Sequence, residues 1–430
     1  MRFLNLFIVL LFCAASSSAQ VIVNGLDELL QYADKNSPQA RQIQLMPQLA
    51  KEEKRVSVST VYPKVNAFAT GDYYPIIATQ LIPAEALGGA PGTYLKAQFG
   101  LPYTFTAGAE LTVPIIDLSN WANLSRAKAA YQEKKYSSET ALENLHLQLI
   151  QSYYQTLVTG EVLELNKENE ETAVELLRIM SERNEQGVVD PADYNRTKNL
   201  LLDVKSTRIS YTSRMAQALN ALNATLGTDT IVLKEELNDF EWPVLYEGGD
   251  ITNRPAWQEV SWKVRAAELA FKQKQMAVLP KLSLASRYAY NMQTNFEPNF
   301  TNIEFDVANV GLRLNMPLFQ GNFHRSSKKI SKLQWESARL EKDRVKATLT
   351  QQQEDWMAQY QAAYAKQNVL KNKLETAAEN LRIAKLNVKE DVMEFDEFNN
   401  IFIEYNKARM EYVQNLADGI LYHLLSTQNF

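Results

Sequence analysis

Two segments of the chain alternate between apolar and polar residues and end in a proline. The first runs from Phe99 to Pro114 and the second from Asp306 to Pro317. A period of two predicts a β-strand with one apolar and one polar face. The same alternation runs from Lys281 to Tyr290, and a weaker version runs from Tyr62 to Tyr73. We therefore expect four amphipathic strands, two in each half of the chain.

Charged residues occupy several polar positions of these strands: Glu110, Lys281, Arg287 and Arg313. Strands of about 9–11 residues with an apolar outer face and a polar inner face are typical of membrane β-barrels. A half-buried sheet of a soluble protein shows the same alternation, so the strands alone do not distinguish the two. In a barrel these four residues line the lumen, where they either tune the passage of solutes or simply hydrate the interior.

Each pair of strands is followed by a long segment that lacks helix breakers. Residues Ser119 to Gln186 contain no proline and one glycine, Gly160, and a second stretch runs from about Phe323 to Lys389. A helix of this length extends for about 100 Å. Such length favours coiled-coil packing over a place in a small globular core. The 15 glycines and 14 prolines among 430 residues also favour few, long elements.

A shorter helix is expected after each long one. Asp190 suits the N-cap, Pro191 suits the first helical position, and Gly227 suits the residue that ends the helix. One helical face then recurs after about 204 residues: Tyr194, Thr197, Leu201 and Val204 correspond to Phe398, Ile401, Tyr405 and Ala408.

These patterns predict two structural repeats, each with the order short helix, two strands, long helix, shorter helix. We expect the first repeat at 20–227, a linker with little periodicity at 228–253, and the second repeat at 254–430. The short helices that open the two strand pairs are expected at about Gln39–Thr60 and Arg254–Val278. Residues 82–100 and 293–304 are expected to be loops that join the strands of each pair.

The first 19 residues have the pattern of a secretory signal peptide. Arg2 is the only charge, an apolar run from Leu4 to Ala15 follows, and Ser17 to Ala19 supply the small residues of a cleavage site. Cys13, the single cysteine, lies in this segment, and its lipidation is an alternative interpretation. Cleavage leaves a chain without disulfides, thiolate metal sites or cysteine nucleophiles.

Composition argues against several classes of function. A formal net charge of −5 does not suit a nucleic-acid partner. No stretch after the signal peptide has 18 apolar residues in a row, so no transmembrane helix is expected. The histidines His146, His324 and His423 lie far apart in sequence and are interpreted as isolated surface or interface residues, not zinc ligands. Because known catalytic and nucleotide-binding motifs are also missing, we expect no enzyme activity, no cofactor and no metal site.

Several motifs, in their order along the chain, closely resemble the TolC-like outer-membrane efflux family. They are the opening segment with Asn36-Ser37-Pro38, the tip segment Asn184 to Gly187 with Asp190 to Asn195, Asn253-Arg254-Pro255, Pro280-Lys281-Leu282, and Pro317 to Gly321. The resemblance covers nearly all of the chain after the signal peptide. It implies a homotrimer in which each subunit gives four strands to a shared twelve-stranded barrel, while the helices form a long hollow cylinder.

The resemblance also implies a function. Members of this family reside in the outer membrane, with a long periplasmic extension, and pass small molecules from an inner-membrane pump through a periplasmic adaptor to the outside. The chain would be the passive exit channel, in contact with outer-membrane lipid. Two alternatives remain at this point: a periplasmic coiled-coil scaffold or adaptor that never enters the membrane, and a duct for type I protein secretion. The transported substrate is not indicated.

The resemblance further implies a gate at the periplasmic tip, formed by acidic residues of the second repeat. The family pattern has acids six and nine residues after a glycine. In this sequence Asp391 stands at the glycine position, Glu397 is the first acid, and Asn400 replaces the second, while Asp396 is an adjacent acid. In the first repeat the matching glycine is Gly187, and the equivalent gate positions are Asp193 and Arg196.

Two interpretations of these acids remain. Three copies of an acid around a threefold axis form a ring that attracts cations, and a bridge from Arg196 to Asp396 or Glu397 would help to hold the gate closed. Alternatively, acids at a helix start are caps and partners of the helix dipole.

Overall fold

The computed structural model describes residues 21–237, 242–243, 250–297 and 302–427. The predicted signal peptide, including Cys13, lies outside these residues. The chain divides into two compact units. The first unit consists of Met1–Gln48, Lys134–Glu259 and Lys342–Phe430, and the second consists of Leu49–Glu133 and Val260–Glu341.

Helices account for most of the described chain. Their bounds are α1 (Leu26–Asn36), α2 (Pro38–Ser59), α3 (Leu118–Glu185), α4 (Pro191–Leu226), α5 (Pro255–Met276), α6 (Phe323–Lys389) and α7 (Phe395–Thr427). The two long helices predicted from the lack of breakers are confirmed, because α3 has 68 residues and α6 has 67. Among the described residues, no helix is both long enough and apolar enough to cross a membrane.

Eight strands are described in the same residues. Their bounds are β1 (Val21–Val23), β2 (Lys64–Tyr73), β3 (Thr79–Pro83), β4 (Tyr94–Gln98), β5 (Tyr103–Ile116), β6 (Ile231–Leu233), β7 (Lys281–Thr294) and β8 (Ile303–Asn315). The four predicted amphipathic strands are confirmed as β2, β5, β7 and β8. They form one antiparallel sheet in the order β2-β5-β7-β8.

The register of this sheet aligns the alternation of all four strands. One row across the sheet contains Val65, Leu111, Ser286 and Val310, and the next row contains Asn66, Glu110, Arg287 and Asn309. Successive rows lie on opposite faces because side chains alternate along a strand. The sheet therefore has one mainly apolar face and one mainly polar face.

Residues 82–100 differ from the expected loop. β3 and β4 pair as an antiparallel hairpin in which Ile82 lies opposite Leu95. A short helical turn, Ala84–Leu87, and Gly88 at φ +79° connect them. Five-residue strands give too few alternations to be recognised in the sequence. The second predicted loop is shorter than expected, because β7 continues to Thr294 and β8 begins at Ile303.

The described part of the expected linker, residues 228–237, 242–243 and 250–253, includes the short strand β6. β6 pairs in parallel with β1, and Val23 lies opposite Leu233. Val23 and Ile231 are both buried in the main core of the first unit. That core is built mainly from one face of α3, including Leu145, Leu149 and Tyr153, packed against α1 and the C-terminal part of α4. A three-residue strand is too short to show a periodic pattern in the sequence. The pairing of β1 with β6 is therefore recognised only from the burial of its residues in the structure.

Candidate functional site

Two turns join the helices of the first unit into hairpins. Residues 186–190, the first turn, connect α3 to α4, and residues 390–394, the second turn, connect α6 to α7. The amide of Val188 donates to the carbonyl of Arg183 at 3.0 Å, and the amide of Val392 donates to the carbonyl of Asn387 at 2.9 Å. These are the 6→1 hydrogen bonds of a Schellman motif, which ends a helix through one left-handed residue.

The left-handed residue differs between the two turns. It is Gly187 in the first turn, at φ +74°, and Asp391 in the second, at φ +61°. A residue with a Cβ atom is strained in this region, although aspartate tolerates it better than most. The replacement of glycine seen in the sequence therefore leaves the turn geometry unchanged.

A side-chain contact accompanies the aspartate. Arg183, at the end of α3, contacts Asp391 Oδ1 through Nη1 at 2.9 Å. The same guanidinium donates through Nη2 to the carbonyl of Lys389 at 3.0 Å. The Arg183 side chain is 15% exposed and Asp391 is 57% exposed. The two helical hairpins are thus connected at their turns by a two-point contact from one arginine.

The predicted bridge of Arg196 is present. Its Nη1 lies 3.2 Å from Asp396 Oδ2 and 3.0 Å from Asp193 Oδ1. Asp190 caps α4, because its side chain accepts a hydrogen bond from the amide of Ala192 at 2.8 Å. Asp193 therefore lies in the capped first turn of α4 and pairs with Arg196. Asp396 connects the first turn of α7 to α4 through the same arginine.

Glu397 and Asn400 are exposed on α7. Within the described residues, Glu397 has no ion pair and Asn400 has no side-chain hydrogen bond. Both differ in this respect from Asp396, which is held by Arg196. The structure thus brings Asp193, Arg196 and Asp396 together and leaves Glu397 as an unpaired acid beside them in sequence.

A hydrophobic cluster supports both turns. Its buried members come from α3, α4, α6 and α7: Ala173, Leu176, Met180, Leu201, Val204, Leu381, Ala384, Val388, Phe395, Phe398 and Phe402. Phe398 and Phe402 are stacked, with ring centroids 6.1 Å apart. Because this packing fixes the start of α7, it also fixes the positions of Asp396 and Glu397.

Further polar contacts connect the hairpins along the helices. Arg409 of α7 lies 2.6 Å from Glu168 of α3, and Lys385 Nζ lies 3.0 Å from Thr172 Oγ1. Burial lowers the pKa of Lys385 below its ordinary range, and the neighbouring Glu168 partly opposes that shift. The two hairpins are thus joined by a series of polar contacts along the helices, and the contacts at the turns lie at the end of this series.

The four residues predicted for a lumen share one face of the sheet. Glu110 lies opposite Arg287, Arg313 lies opposite Ser283, and Lys281 lies opposite Asn315, all in rows of the polar face. Lys281 Nζ contacts Asp117 Oδ2 at 3.1 Å. Arg287 does not pair with Glu110 but stacks over the ring of Phe68, 4.4 Å from its centroid.

The apolar face and both outer edges of the sheet are uncovered in the chain described. Val65 of β2 is 69% exposed, and Leu312 and Leu314 of β8 are 68% and 69% exposed. Within the described residues, β2 and β8 each pair on one side only. An open strand edge leaves N–H and C=O groups without partners, so each of these two edges can pair with a further strand.

One histidine does not fit the sequence interpretation. His146 is not isolated, since its Nε2 lies 2.8 Å from Asp34 Oδ1 and its side chain is 13% exposed. The two residues are brought together by packing between α1 and α3, which their sequence separation conceals. Within the described residues, no cluster of three or more potential metal ligands is found.

Sequence reasoning missed Arg183, Asp117 and Phe68 as site residues. Arg183 carried a recognisable signal, because a cation in the last helical turn suits the helix dipole. Phe68 carried none, because its role depends on the register that places it beside Arg287. Asp117 likewise becomes informative only when the strand end places it at Lys281.

Comparison with known proteins identifies a protein family that matches this chain. The family model described as outer membrane efflux protein matches residues 29–228 and 251–389. No curated protein matches the sequence.

Solved structures with the same fold include three outer-membrane proteins. The Campylobacter jejuni CmeC outer membrane channel is 16% identical, with a TM-score of 0.75 over 93% of this chain and 84% of that chain. The Neisseria gonorrhoeae MtrE outer membrane channel, in its open state, is 16% identical, with a TM-score of 0.74 over 96% and 94%. The Vibrio cholerae outer membrane protein VceC is 14% identical, with a TM-score of 0.73 over 93% and 95%. At these identities the likeness concerns the fold.

Proposed function

The chain belongs to the outer membrane efflux protein family, and we propose that it is the passive outer-membrane exit channel of a tripartite efflux system. In this proposal it receives small molecules from an inner-membrane pump through a periplasmic adaptor and releases them outside. It consumes no energy and catalyses no reaction. The pump sets most of the cargo specificity.

One observation carries the proposal: a four-stranded sheet with an exposed apolar face, a polar opposite face and two open edges. Four strands are too few to close a membrane barrel. An open edge in lipid leaves backbone groups unsatisfied, each at a cost of several kcal/mol. Three subunits, each giving β2, β5, β7 and β8, would close a twelve-stranded barrel with the apolar face toward lipid.

The helical hairpins support the periplasmic part of the proposal. In each hairpin a long helix turns back into a shorter one at a Schellman motif, and the acids Asp193, Asp396 and Glu397 lie just after the turns. We propose that these turns form the periplasmic tip, where Glu397 and Asp396 constrict the pore with Asn400 nearby. Arg196 and Asp193 would stabilise the closed form.

The test is the mass and the conductance of the purified protein. Extracted from the outer-membrane fraction in a neutral detergent, it should have the mass of three chains and should form channels in a planar lipid bilayer. A monomer with intact helix content would overturn the trimer. Release from membranes by salt alone would instead support the periplasmic scaffold, because a scaffold has no apolar face in lipid.

A second measurement addresses the cargo. Deletion of the gene should increase sensitivity to a panel of dyes, antibiotics and metal ions if small molecules are exported. An unchanged panel, together with the loss of one secreted protein from the medium, would favour the type I secretion alternative.

A further inference from the structure

Positive charge is concentrated at the start of α6. Residues 307–335 contain no aspartate or glutamate, although acidic residues outnumber basic ones in the whole chain. The first two to three turns of the helix carry four cations at intervals of three, four and seven residues: Arg325, Lys328, Lys329 and Lys332. These intervals place the four on one helical face, and all of them are exposed. We call these four residues the basic face of α6.

Local contacts leave most of this charge unneutralised. Lys332 lies 3.5 Å from Glu336, and within the described residues Arg325, Lys328 and Lys329 form no ion pair. Like charges three or four residues apart repel each other on a helix, and cations are unfavourable at the positive end of the helix dipole. The basic face therefore destabilises the start of α6, and an anionic partner would relieve that cost.

The fold does not require cations at this position. α3 follows β5 as α6 follows β8, and the start of α3 is capped by Asp117, which accepts a hydrogen bond from the amide of Asn120 at 3.0 Å. The equivalent first turns of α3 contain a single cation, Arg126. From Glu336 onward, α6 itself carries charges of both signs. Charge of one sign is thus restricted to the part of α6 nearest the sheet.

Exposed apolar side chains lie between the basic face and the apolar face of the sheet. In the connection from β8 to α6, Leu318 is 87% exposed and Phe319 is 88% exposed, and Phe323 at the start of the helix is also exposed. They follow the exposed Leu314 of β8 along the chain. Exposed apolar groups of this kind suit contact with a membrane or a protein, and aromatic residues are enriched at the boundary between membrane and water.

The dimensions of the basic face suit the surface of a bilayer. From Arg325 to Lys332 the helix rises about 10 Å, and the headgroup layer on each side of a bilayer is about 5–7 Å thick. Long basic side chains can extend their charged ends toward headgroups while their stems cover apolar surface. Four or more lysine and arginine residues beside a membrane-inserted segment are typical of the recognition of anionic lipids.

We infer that the basic face of α6 binds the phosphate groups of anionic phospholipids, while Leu318, Phe319 and Phe323 contact the acyl chains of the same lipids. The inference rests on the proposed function for the position of the membrane, because the apolar face of the sheet must lie in the same bilayer. It adds to that function a class of lipid and a binding position on the periplasmic side of the sheet.

The direct test measures which phospholipid the purified full-length protein retains in a neutral detergent. The protein is incubated with an equimolar mixture of phosphatidylglycerol and phosphatidylcholine, gel filtration removes unbound lipid, and mass spectrometry of the extracted lipid gives the bound ratio. Phosphatidylglycerol should be retained in about tenfold excess. Raising NaCl from about 0.05 M to about 0.5 M should reduce this excess, because salt screens exposed charges. Equal retention of the two lipids at low salt would overturn the inference.

A charge variant locates the site. The combination of Arg325→Gln, Lys328→Gln and Lys329→Gln should bring the ratio of bound phosphatidylglycerol to phosphatidylcholine close to one, because the three unpaired cations are lost. Circular dichroism should show unchanged helix content, since all three side chains are exposed. A folded charge variant that keeps the full phosphatidylglycerol excess would contradict the assignment.

The matched control removes the same charge elsewhere. Lys205→Gln, Lys346→Gln and Lys366→Gln replace exposed lysines of α4 and α6 that lie beyond the basic face. This control should keep the phosphatidylglycerol excess of the unsubstituted protein. An equal loss in the control and in the charge variant would show that net charge, and not the basic face, selects the lipid.

Two further measurements identify the lipid as the ligand. Leu318→Ser with Phe319→Ser should reduce the retention of both lipids and leave their ratio unchanged, because acyl contacts do not depend on the headgroup. A large excess of glycerol 1-phosphate should not displace phosphatidylglycerol, since it lacks acyl chains. Displacement by glycerol 1-phosphate would identify a site for a soluble phosphate and overturn the lipid assignment.

A bilayer measurement separates this inference from the proposed function. In phosphatidylcholine, the charge variant should form channels with the conductance of the unsubstituted protein, because the basic face meets lipid and not the pore. A changed conductance with an unchanged lipid ratio would place these cations at the pore, which overturns the inference and leaves the exit channel standing. Selective retention of phosphatidylglycerol by a protein that forms no channel would uphold the lipid site and remove the exit channel.

Discussion

Asp391 holds a backbone conformation that glycine holds at the same point of the other helical hairpin. Its φ of +61° is strained for a residue with a Cβ atom, and its carboxylate gains a contact with Arg183. Asp391 thus forms the turn and also connects the two helical hairpins. Such a contact between partly exposed groups contributes about 1 kcal/mol or less, so its effect is on local opening and not on global stability.

Substitution at Asp391 separates these two contributions. Asp391→Ala should speed hydrogen exchange of the Val392 amide, because the strain remains and the contact with Arg183 is lost. Asp391→Gly removes the backbone strain of the left-handed conformation, which costs alanine about 1 kcal/mol or more. The Val392 amide should therefore stay protected in this variant. Gly187→Ala is the matched variant in the first turn and should speed exchange at Val188. Equal exchange in the alanine and glycine variants would contradict this account of the turn.

The two acids at the start of α7, Asp396 and Glu397, give the second prediction. Glu397→Ala combined with Asp396→Ala should raise the single-channel conductance or weaken cation selectivity, because a ring of acids attracts cations and because Arg196 loses its partner on α7. Asp203→Ala, which removes an exposed acid of α4 away from the turns, is the control. Unchanged conductance and selectivity in the double variant would exclude these residues from the gate.

Glu161 of α3 provides a prediction about pH. Burial raises the pKa of its carboxyl above the ordinary value, and Arg409 opposes the shift only in part. A raised pKa in the folded state means that the folded protein is favoured while Glu161 is protonated and loses this advantage as pH rises through the folded pKa. Glu161→Gln should therefore raise Tm relative to the unsubstituted protein at pH 7 and show little difference below pH about 4.

The control for this pH prediction is Glu139→Gln. Glu139 of α3 is 43% exposed and pairs with Lys135, so its replacement should change Tm little at either pH. A gain in Tm for Glu161→Gln that is the same at pH 4 and pH 7 would show that ionisation of Glu161 is not its cause.

Among the helices, glycine has opposite effects at two positions. Gly160 lies in the interior of α3, where an added Cβ would be 3.8 Å from Met215 Cε, an ordinary contact. Gly227 ends α4 at φ +70°, and an added Cβ would be 2.6 Å from Pro38 Cδ. The same substitution is therefore expected to stabilise one helix and to destabilise the packing at the end of another.

The prediction for these elements concerns two alanine variants. Gly160→Ala should increase the free energy of unfolding by about 0.5–1 kcal/mol, because alanine restricts the unfolded chain and suits a helix. Gly227→Ala should decrease it by more than that amount, because strain and the clash with Pro38 add together. Urea unfolding followed by helix content measures both. Changes of the same sign in the two variants would contradict the assigned conformations.

At the scale of the whole molecule, the assembly of three chains depends on which face of the sheet meets the lipid. Leu312 lies on the apolar face and Gly311 on the polar face of β8. If the apolar face meets lipid, Leu312→Arg should disfavour insertion by about 2–4 kcal/mol near the bilayer midplane. The amount of trimer recovered from the outer membrane should fall accordingly. Gly311→Arg places the same charge at the adjacent residue on the polar face, and this variant should be recovered in the same amount as the unsubstituted protein. An equal loss of trimer in both variants would argue against the proposed orientation.

The sequence alone determined the elements that rest on long, regular patterns. Four alternating segments predicted β2, β5, β7 and β8, and the lack of breakers predicted α3 and α6. Asp190, Pro191 and Gly227 predicted the ends of α4. These predictions succeeded because alternation, helix capping and backbone restriction act between near neighbours, so their causes are visible in a short window of sequence.

The tertiary structure decided what depends on distant partners. The pairing of β1 with β6, the contact of His146 with Asp34, and the stacking of Arg287 on Phe68 instead of pairing with Glu110 each join residues that are far apart in the chain. Register and packing bring them together, and neither leaves a local signal. The sequence could place charged residues at polar positions of the strands, Glu110, Lys281, Arg287 and Arg313, but only the register of the sheet showed that Glu110 lies opposite Arg287 on a face that all four share.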